Sequence, residues 1–347
     1  MASTQLVGVD IGSTSVRGVE VAGIGSKRPN VVRYFSIPIP EGAVRNGEVI
    51  EINTVSAALK QLWSAARFSS KEVVLGVGNS KVLVRDLAVP KLNYQEIRES
   101  LPTHVQEMLP VPVADALLDY YPASEAMAES GPIINGLLVA AIKDSVLANV
   151  KAVQLAGLSP VGVDLIPFAL TRLTSQSRMI GNIAHIDIGA RTTNVIVTTN
   201  GVPQFVRIIG NGGHDLTVAL AERLGVTESE AENLKRTIGL GGASVSQENA
   251  KAVGVIREVT GTFLTNLRNT LSYFATNRQN EPFAGIVLSG GGAQLSGFAD
   301  ALSEMTRIPV ALGDTFGTVD VAKDAARGVQ TQFGMNVALG LALGGAA

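Results

Sequence analysis

The segment LVGVDIGSTSVRGVEV occupies residues 6–21 of the 347-residue chain. Its pattern predicts an apolar strand that ends at Asp10, a turn through Gly12 and a second strand. By itself, such a hairpin needs no chemical role. A second copy, IAHIDIGARTTNVIVT at residues 183–198, repeats the pattern with Asp187 in the place of Asp10. A unit repeated in both halves of the chain predicts two domains built around the same hairpin.

Both turns have the composition of a phosphate-binding loop. Glycine lets backbone N–H groups approach phosphate oxygens, and serine and threonine hydroxyls add donors. Each aspartate ends a strand, and Mg²⁺ keeps several waters while taking one or two carboxylates plus phosphate oxygens. The hairpins therefore predict phosphate ligands at Gly12, Ser13, Thr14, Ser15, Gly189, Thr192 and Thr193, and metal ligands at Asp10 and Asp187.

Two further motifs accompany the hairpins. LSGGGAQLSGF at residues 288–298 puts three glycines between a predicted buried strand and a helix. Bare backbone there lets a flat ring or a phosphate approach, although a tight turn alone also accounts for the motif. In EAENLKR, Glu232 and Lys235 share one face of a helix, which is also the arrangement of an ordinary surface ion pair.

The composition indicates a folded protein and excludes several chemistries. Apolar residues make up 46% of the chain and the formal net charge is −2, so no overall electrostatic footprint for nucleic acid is present. Without cysteine, disulfides and thiolate metal sites are excluded. His104, His185 and His214 have no metal-ligand spacing, and we expect them to be structural or solvent-facing. The absence of a secretory signal and of a run of about 18 to 20 apolar residues predicts a cytoplasmic protein without direct membrane insertion.

Alternating strand and helix patterns predict an α/β architecture. A compositionally different stretch from Val84 to Asp164 is interpreted as a small α+β unit inserted into this alternation. The sequence predicts a helix at 52–68, capped by Asn53 or Thr54, and a second at 93–110 that Pro102 interrupts. A third helix begins with a capping box formed by Thr227 and Glu230. A fourth spans 247–277, and the apolar C-terminal tail is predicted to form a buried closing helix.

Together, DIGSTS, DIGARTTN, LSGGGAQLSGF and EAENLKR resemble the motifs of the actin-like ATPase superfamily. The resemblance implies an actin-like α/β fold with two duplicated ribonuclease H-like domains, and ATP and Mg²⁺ as ligands. VDLIPFAL at 163–170 and GMNVALGLAL at 334–343 are similar to its two hinge helices. The resemblance extends the implied nucleotide-binding set to Arg191, Gly213, Glu232, Lys235, Gly290, Gly291, Gly292 and Gln294.

The stretches at 85–120 and 137–170 resemble the PilM branch most closely, which is related to FtsA and is the cytoplasmic actin-like component of type IV pilus assembly. The resemblance implies a groove, involving the insert, that captures the N-terminal peptide of a PilN-like inner-membrane protein. Such a protein lies peripherally at the inner face of the membrane. Other pilus machinery proteins are further candidate partners, and a homo-oligomer is a candidate assembly. The implied division is domain one at 1–84, 166–182 and 318–347, an inserted α+β subdomain at 85–165, and domain two at 183–317.

Two features depart from the pattern of the PilM branch. The helix before the segment PVPV is usually continuous there, whereas Pro102 is expected to interrupt it here. Arg191 stands in the second phosphate turn, where small or polar residues are common. Its guanidinium either clamps a phosphate or points to solvent.

Three functions compete at this level. A nucleotide-dependent pilus assembly protein is favoured over an FtsA- or MreB-type filament-forming protein, because FtsA usually carries a charged amphipathic anchor and this sequence ends in its apolar helix. A sugar-kinase-type phosphotransferase would need a catalytic aspartate and sugar-binding residues that the sequence does not display. At most a slow ATPase is expected, since the water-positioning residue is left unassigned, with Asp164 as the candidate considered.

Overall fold

The computed structural model describes residues 5–174, 180–240, 249–277, 282–326 and 334–344. The strands are β1 Gln5–Ile11, β2 Ser15–Ala22, β3 Asn30–Pro38, β4 Val44–Arg45, β5 Glu48–Val49, β6 Glu72–Val77, β7 Leu83–Pro90, β8 Ala116–Ala128, β9 Gly131–Ile142, β10 Ser159–Leu165, β11 Asn182–Ile188, β12 Thr193–Thr199, β13 Val202–Ile209, β14 Phe283–Ser289, β15 Val310–Leu312 and β16 Asp320–Val321. The helices are α1 Ile52–Ala66, α2 Tyr94–Val105, α3 Lys143–Leu155, α4 Ile166–Thr174, α5 Gly213–Leu224, α6 Glu228–Ile238, α7 Ala250–Asn277, α8 Phe298–Thr306, α9 Lys323–Ala326 and α10 Asn336–Leu343. Among these, no helix is both long enough and apolar enough to cross a membrane.

Two large sheets repeat one topology. In the first sheet the strand order is β10-β6-β1-β2-β3-β16, and in the second it is β13-β12-β11-β14-β15. In each, an antiparallel meander of three strands is followed by parallel strands, β6 beside β1 and β14 beside β11. The register places Asp10 opposite Arg17 and Asp187 opposite Asn194. The repeated hairpin is thus the start of a repeated sheet.

Helices cover the apolar faces of these sheets. The first sheet packs α1 and α3 on one face and α4 with α10 on the other, and α7 and α8 cover the second sheet. Glycine permits the closest of these contacts, because a Cβ at Gly8 would lie 1.9 Å from the Ala338 carbonyl oxygen of α10. The C-terminal residues 336–343 therefore form a buried helix, as predicted.

The insert contains a separate sheet of order β7-β9-β8, with α2 packed on it around Ile97, Leu101 and Tyr120. One prediction is wrong here: α2 continues through Pro102 to Val105. Its capping box at Asn93 and its buried apolar face hold the helix against the loss of one backbone donor.

Strand pairing also reassigns one element. β10, which the sequence analysis places in the insert, pairs in parallel with β6 at the edge of the first sheet. The strand follows α3, which packs on the first sheet. The division into domains itself stays a prediction.

Local signals were correct for α6 and partly wrong for α1. The Thr227 hydroxyl accepts from the Glu230 N–H at 3.3 Å, and the Glu230 carboxylate accepts from the Thr227 N–H at 2.8 Å. In α1, however, Glu51 is the N-cap, and the predicted caps lie inside the helix. The long helix α7 is present from residue 250, and the two predicted residues before 249 lie outside the described chain.

Candidate functional site

The two hairpin turns, the triple-glycine turn and α6 surround one cleft of about 820 Å³. Both strand-end aspartates line it, although each is only 6% exposed. Eleven of the residues predicted from the sequence lie at its wall: Asp10, Thr14, Asp187, Gly189, Gly213, Glu232, Lys235, Gly290, Gly291, Gly292 and Gln294. Motifs that are far apart in the chain thus share one cavity.

The first hairpin supplies the cation that neutralises the charge of its buried aspartate. Its turn is closed by a hydrogen bond from the Gly12 N–H to the Ser15 carbonyl oxygen at 3.0 Å. Beyond the turn, Arg17 donates to the Asp10 carboxylate at 2.8 Å. Arg17 also lines the cleft, so this wall carries one cation and one anion.

The second hairpin has the same turn and different partners. The Gly189 N–H donates to the Thr192 carbonyl oxygen at 2.9 Å, and the Ser289 hydroxyl donates to the Asp187 carboxylate at 2.8 Å. Burial raises the pKa of Asp187 to about 6, and the nearby charge of Asp10 adds to this while the Ser289 hydrogen bond opposes it. The two carboxylates are therefore close enough to repel one another, which is where a bound cation would be stabilising.

The triple-glycine turn approaches the start of α5. A Cβ built at Gly213 would lie 3.2 Å from the Gly292 Cα, so only small residues fit on both sides. At Gly291, by contrast, a Cβ would meet no atom within 4 Å. This position offers bare backbone to the cleft, and its contact with a ring or a phosphate stays a prediction.

A partly buried polar network joins α5 and α6. Lys235 donates to the Gly213 carbonyl oxygen at 3.0 Å and to the Thr217 hydroxyl at 2.8 Å, and Thr217 donates to Glu232 at 2.6 Å. Burial raises the pKa of Glu232, but hydrogen bonds from Lys235, Thr217 and Arg236 outweigh burial and lower the pKa to about 2. Glu232 and Lys235 are therefore more than an exposed ion pair.

Other predicted ligands lie outside the cleft wall. Thr193 is fully buried and its hydroxyl donates to the Asn211 carbonyl oxygen at 2.7 Å, which fixes the next loop. Arg191 donates to Glu41, which follows β3, at 2.9 Å, and its role as a phosphate clamp stays a prediction. Gly12, Ser13, Ser15 and Thr192 form the turns themselves. Their roles as nucleotide ligands stay predictions.

Several lining residues were missed by the sequence analysis, among them Arg17, Ser36, His214, Thr217 and Arg236. The hairpin register contained a signal for Arg17, because a tight turn between two paired strands places that position opposite Asp10. The others come from elements that only packing brings to the cleft.

Asp164, the residue considered for positioning water, is ion-paired with Arg172 at 2.5 Å, and Arg172 also donates to the Gly340 carbonyl oxygen at 3.0 Å. Asp164 lies at the end of β10 and Arg172 in the last turn of α4, so these contacts join β10, α4 and α10.

The family model described as "Type IV pilus assembly protein PilM" matches residues 8–346. The chain belongs to the PilM family. A solved structure of a PilM-PilN type IV pilus biogenesis complex is similar at 26% identity over 98% of each chain, with a TM-score of 0.85.

Two more distant structures share the fold alone. The ethanolamine utilization protein EutJ from Carboxydothermus hydrogenoformans is 16% identical over 99% of this chain and 91% of its own, with a TM-score of 0.58. MreB5 of Spiroplasma citri, bound to ADP, is 13% identical over 91% and 93%, with a TM-score of 0.50. The predicted actin-like α/β fold of this PilM family member is confirmed.

Proposed function

We propose that this PilM family protein binds Mg²⁺-ATP in the cleft between its two hairpins. The observation that carries the proposal is the convergence of two Asp-Ile-Gly turns and a triple-glycine turn on one cavity of about 820 Å³. The donor set fits a hydrated magnesium ion, because two buried carboxylates, Asp10 and Asp187, line the same cleft and the charge of Asp10 helps to raise the pKa of Asp187. MreB5, of the same fold, is described bound to ADP.

In this proposal each wall has a distinct task. Asp10 and Asp187 would hold a hydrated Mg²⁺ ion, which would neutralise phosphate charge. The Gly189 turn, the Thr14 hydroxyl and the Arg17 guanidinium bind phosphate oxygens. Gly291 lies against the base, and Glu232 with Lys235 holds the ribose side. Closure of the cleft changes the surface offered to partners, and hydrolysis is at most slow.

A titration with a fluorescent ATP analogue, with and without Mg²⁺, tests this function. We expect binding that Mg²⁺ strengthens and unlabelled ATP competes away. The matched variants are Gly291→Val, which places a branched side chain in the cleft, and Gly254→Val, on the surface of α7 where a Cβ also meets no atom within 4 Å. Unchanged ATP binding by a folded Gly291→Val variant would contradict the proposal.

We also propose that the protein captures the extended N-terminal peptide of a PilN-like inner-membrane protein, and so lies in the cytoplasm at the inner face of the membrane. Support comes from the similarity to a PilM-PilN complex. β10 offers a docking surface, because it forms the edge of the first sheet and leaves Val161 55% and Val163 45% exposed. Exposed Leu147 and Leu155 of the adjoining α3 extend the apolar surface.

Calorimetric titration of the partner's synthetic N-terminal peptide tests this docking surface. The double variant Val161→Lys with Val163→Lys should weaken binding by about 10-fold or more, since charged side chains oppose apolar docking. Gln204→Lys is the control, because Gln204 lines a separate groove of about 290 Å³ between β13 and the insert. If Gln204→Lys loses peptide binding and the valine double variant does not, the peptide binds in that groove and not along β10.

A further inference from the structure

A group of metal-ligating side chains lies at the mouth of the cleft and shares no residue with the aspartate pair. Ligand atoms of Glu41, His214 and Glu228 all lie within 4.8 Å of one another, which makes this the one such group in the described part of the chain. Glu41 follows β3 of the first sheet, whereas His214 and Glu228 belong to α5 and α6 beside the second sheet. The group therefore joins the side of the first sheet to two helices of the second, next to the cleft that His214 and Glu228 line.

His214 supplies the independent observation that points to a ligand. Its Nε2 atom is buried and has no hydrogen-bond partner among the residues described. The nearest carboxylate oxygen, Oε2 of Glu228, lies at 3.5 Å, too far for a good hydrogen bond. The backbone N–H of His214 donates to the Ala190 carbonyl oxygen at 2.8 Å, which fixes the residue at the start of α5. A buried ring nitrogen without a partner is unfavourable unless a cation or a water completes it.

The glutamates fit the same interpretation. Arg191 donates to Oε1 of Glu41 at 2.9 Å, which leaves the other carboxylate oxygen available. Ligating carboxylates in metal sites usually have such an outer hydrogen-bond partner. Two carboxylates close together also repel one another, and a divalent cation between them removes this repulsion.

The distances suit a tetrahedral ion after a small adjustment. Zinc bonds to nitrogen and oxygen place neighbouring ligand atoms about 3.4 Å apart. His214 and Glu228 are already 3.5 Å apart, and the largely exposed Glu41 side chain can rotate towards them. One imidazole with two carboxylates and no thiolate suits Zn²⁺ and its neighbours Co²⁺ and Mn²⁺.

We propose that Glu41, His214 and Glu228 bind a Zn²⁺-type ion that clips the two sides of the cleft together. His214 and Glu228 line the cleft wall, and Glu41 reaches them from the opposite side. An ion held by all three therefore slows the opening of the cleft. Binding of the ion is independent of the proposed nucleotide function, and its effect on nucleotide release rests on that function.

Calorimetric titration of Zn²⁺ into nucleotide-free protein tests the site, with the visible spectrum of bound Co²⁺ as a second readout. We expect one ion per chain, and a loss of affinity of about 100-fold in His214→Gln. Arg191→Gln removes only the outer partner and should cost about 10-fold. His104→Gln is the matched control, because His104 lies exposed on α2 of the insert, and it should bind Zn²⁺ like the wild type.

Equal Zn²⁺ affinity in the wild type and in a folded His214→Gln variant would overturn the site, as would equal losses in His214→Gln and His104→Gln. Thermal melts without metal verify that the variants fold. The clip is tested by the dissociation rate of fluorescent ATP, which Zn²⁺ should lower about 10-fold in the wild type and leave unchanged in Glu41→Gln. If the protein binds Zn²⁺ but the dissociation rate of ATP does not change, the clip is overturned. A failure to bind ATP is distinguished from a failure of the metal site, because the zinc titration contains no nucleotide.

Discussion

In the first hairpin, the Asp10 carboxylate accepts a hydrogen bond from Arg17 at 2.8 Å, whereas in the second the Asp187 carboxylate accepts one from the Ser289 hydroxyl at 2.8 Å. The turns are otherwise closed in the same way, by one backbone hydrogen bond from glycine. The position opposite the aspartate decides the difference, since it is Arg17 in one hairpin and Asn194 in the other.

This comparison separates geometry from charge. The repeated Asp-Ile-Gly turn builds the same backbone twice, so both carboxylates reach the cleft. Asp10 is paired with a cation of its own hairpin, Arg17. Asp187 has no such partner in its hairpin, all of which the structure describes, and burial raises its pKa to about 6. The second wall is therefore the one whose charge depends most on what the cleft binds.

The largest expected difference between the two halves is in the cost to stability of substituting the glycines that follow β6 and β14. Gly290, after β14, has φ 84°, and a Cβ there would lie 2.4 Å from the Ile188 carbonyl oxygen. We expect Gly290→Ala to lower the free energy of unfolding by about 3 kcal/mol or more, because a backbone atom cannot yield. Gly78, after β6, meets the Ile166 side chain at 2.8 Å, and Gly78→Ala should cost about 1 kcal/mol.

Urea denaturation measures both changes, with Gly291→Ala as the control that adds a methyl group to open space. Similar costs for Gly290→Ala and Gly78→Ala would show that the two strand ends are equivalent after all.

Magnesium dependence is the next largest effect. Asp10→Asn and Asp187→Asn each remove one carboxylate from the proposed outer shell of the ion, and the affinity for Mg²⁺-ATP should fall by about 10- to 100-fold in each. Affinity for ATP without Mg²⁺ should change far less. Thermal shifts with ATP, with and without Mg²⁺, give the comparison. Equal nucleotide-induced stabilisation in the wild type and both variants would remove the metal assignment.

Without ligand, Asp187→Asn should raise the free energy of unfolding and Asp10→Asn should lower it. Because the pKa of Asp187 is raised from 3.8 to about 6, the folded state binds more protons than the unfolded state between these values, and stability falls as the pH rises through this window. At pH 7, Asp187→Asn should therefore be more stable than the wild type by about 1 to 3 kcal/mol. Asp10→Asn should lose about 1 kcal/mol, because Arg17 loses its partner.

Denaturation at pH 7 and at pH 4 distinguishes the contributions. The advantage of Asp187→Asn should shrink towards zero at the lower pH, where the wild-type carboxyl is protonated in the folded state. An advantage that is independent of pH would mean that burial of the charge is not its cause.

The smallest expected effect on ATP affinity lies on α6, which accompanies the second hairpin. Lys235→Met removes the hydrogen bonds to Gly213 and Thr217 and the ion pair to Glu232. ATP affinity should fall about 10-fold, which corresponds to the loss of one charged hydrogen bond. Arg236→Met, whose side chain is 76% exposed, is the control and should change affinity less. The reverse order would place the nucleotide on the outer side of the helix.

The sequence alone was sufficient for the elements whose cause is local. A short apolar run that ends in Asp-Ile-Gly predicts a hairpin wherever it occurs, and Thr227 with Glu230 caps α6 through neighbouring backbone groups. The duplicated hairpin, the triple-glycine turn and the long helix α7 were therefore recognisable without coordinates. Even local signals were incomplete, since the buried face of α2 overrode Pro102.

Tertiary structure decided which side chains meet. Arg191 and Glu41 are 150 residues apart and Ser289 lies 102 residues from Asp187, so no periodicity relates them. The membership of β10 in the first sheet and the approach of His214 to Glu41 and Glu228 likewise depend on how the helices cover the sheets. Propensity and turn chemistry act over a few residues, whereas these contacts arise only after the whole core has packed, and for that reason the charges around the two aspartates could not be predicted from their shared motif.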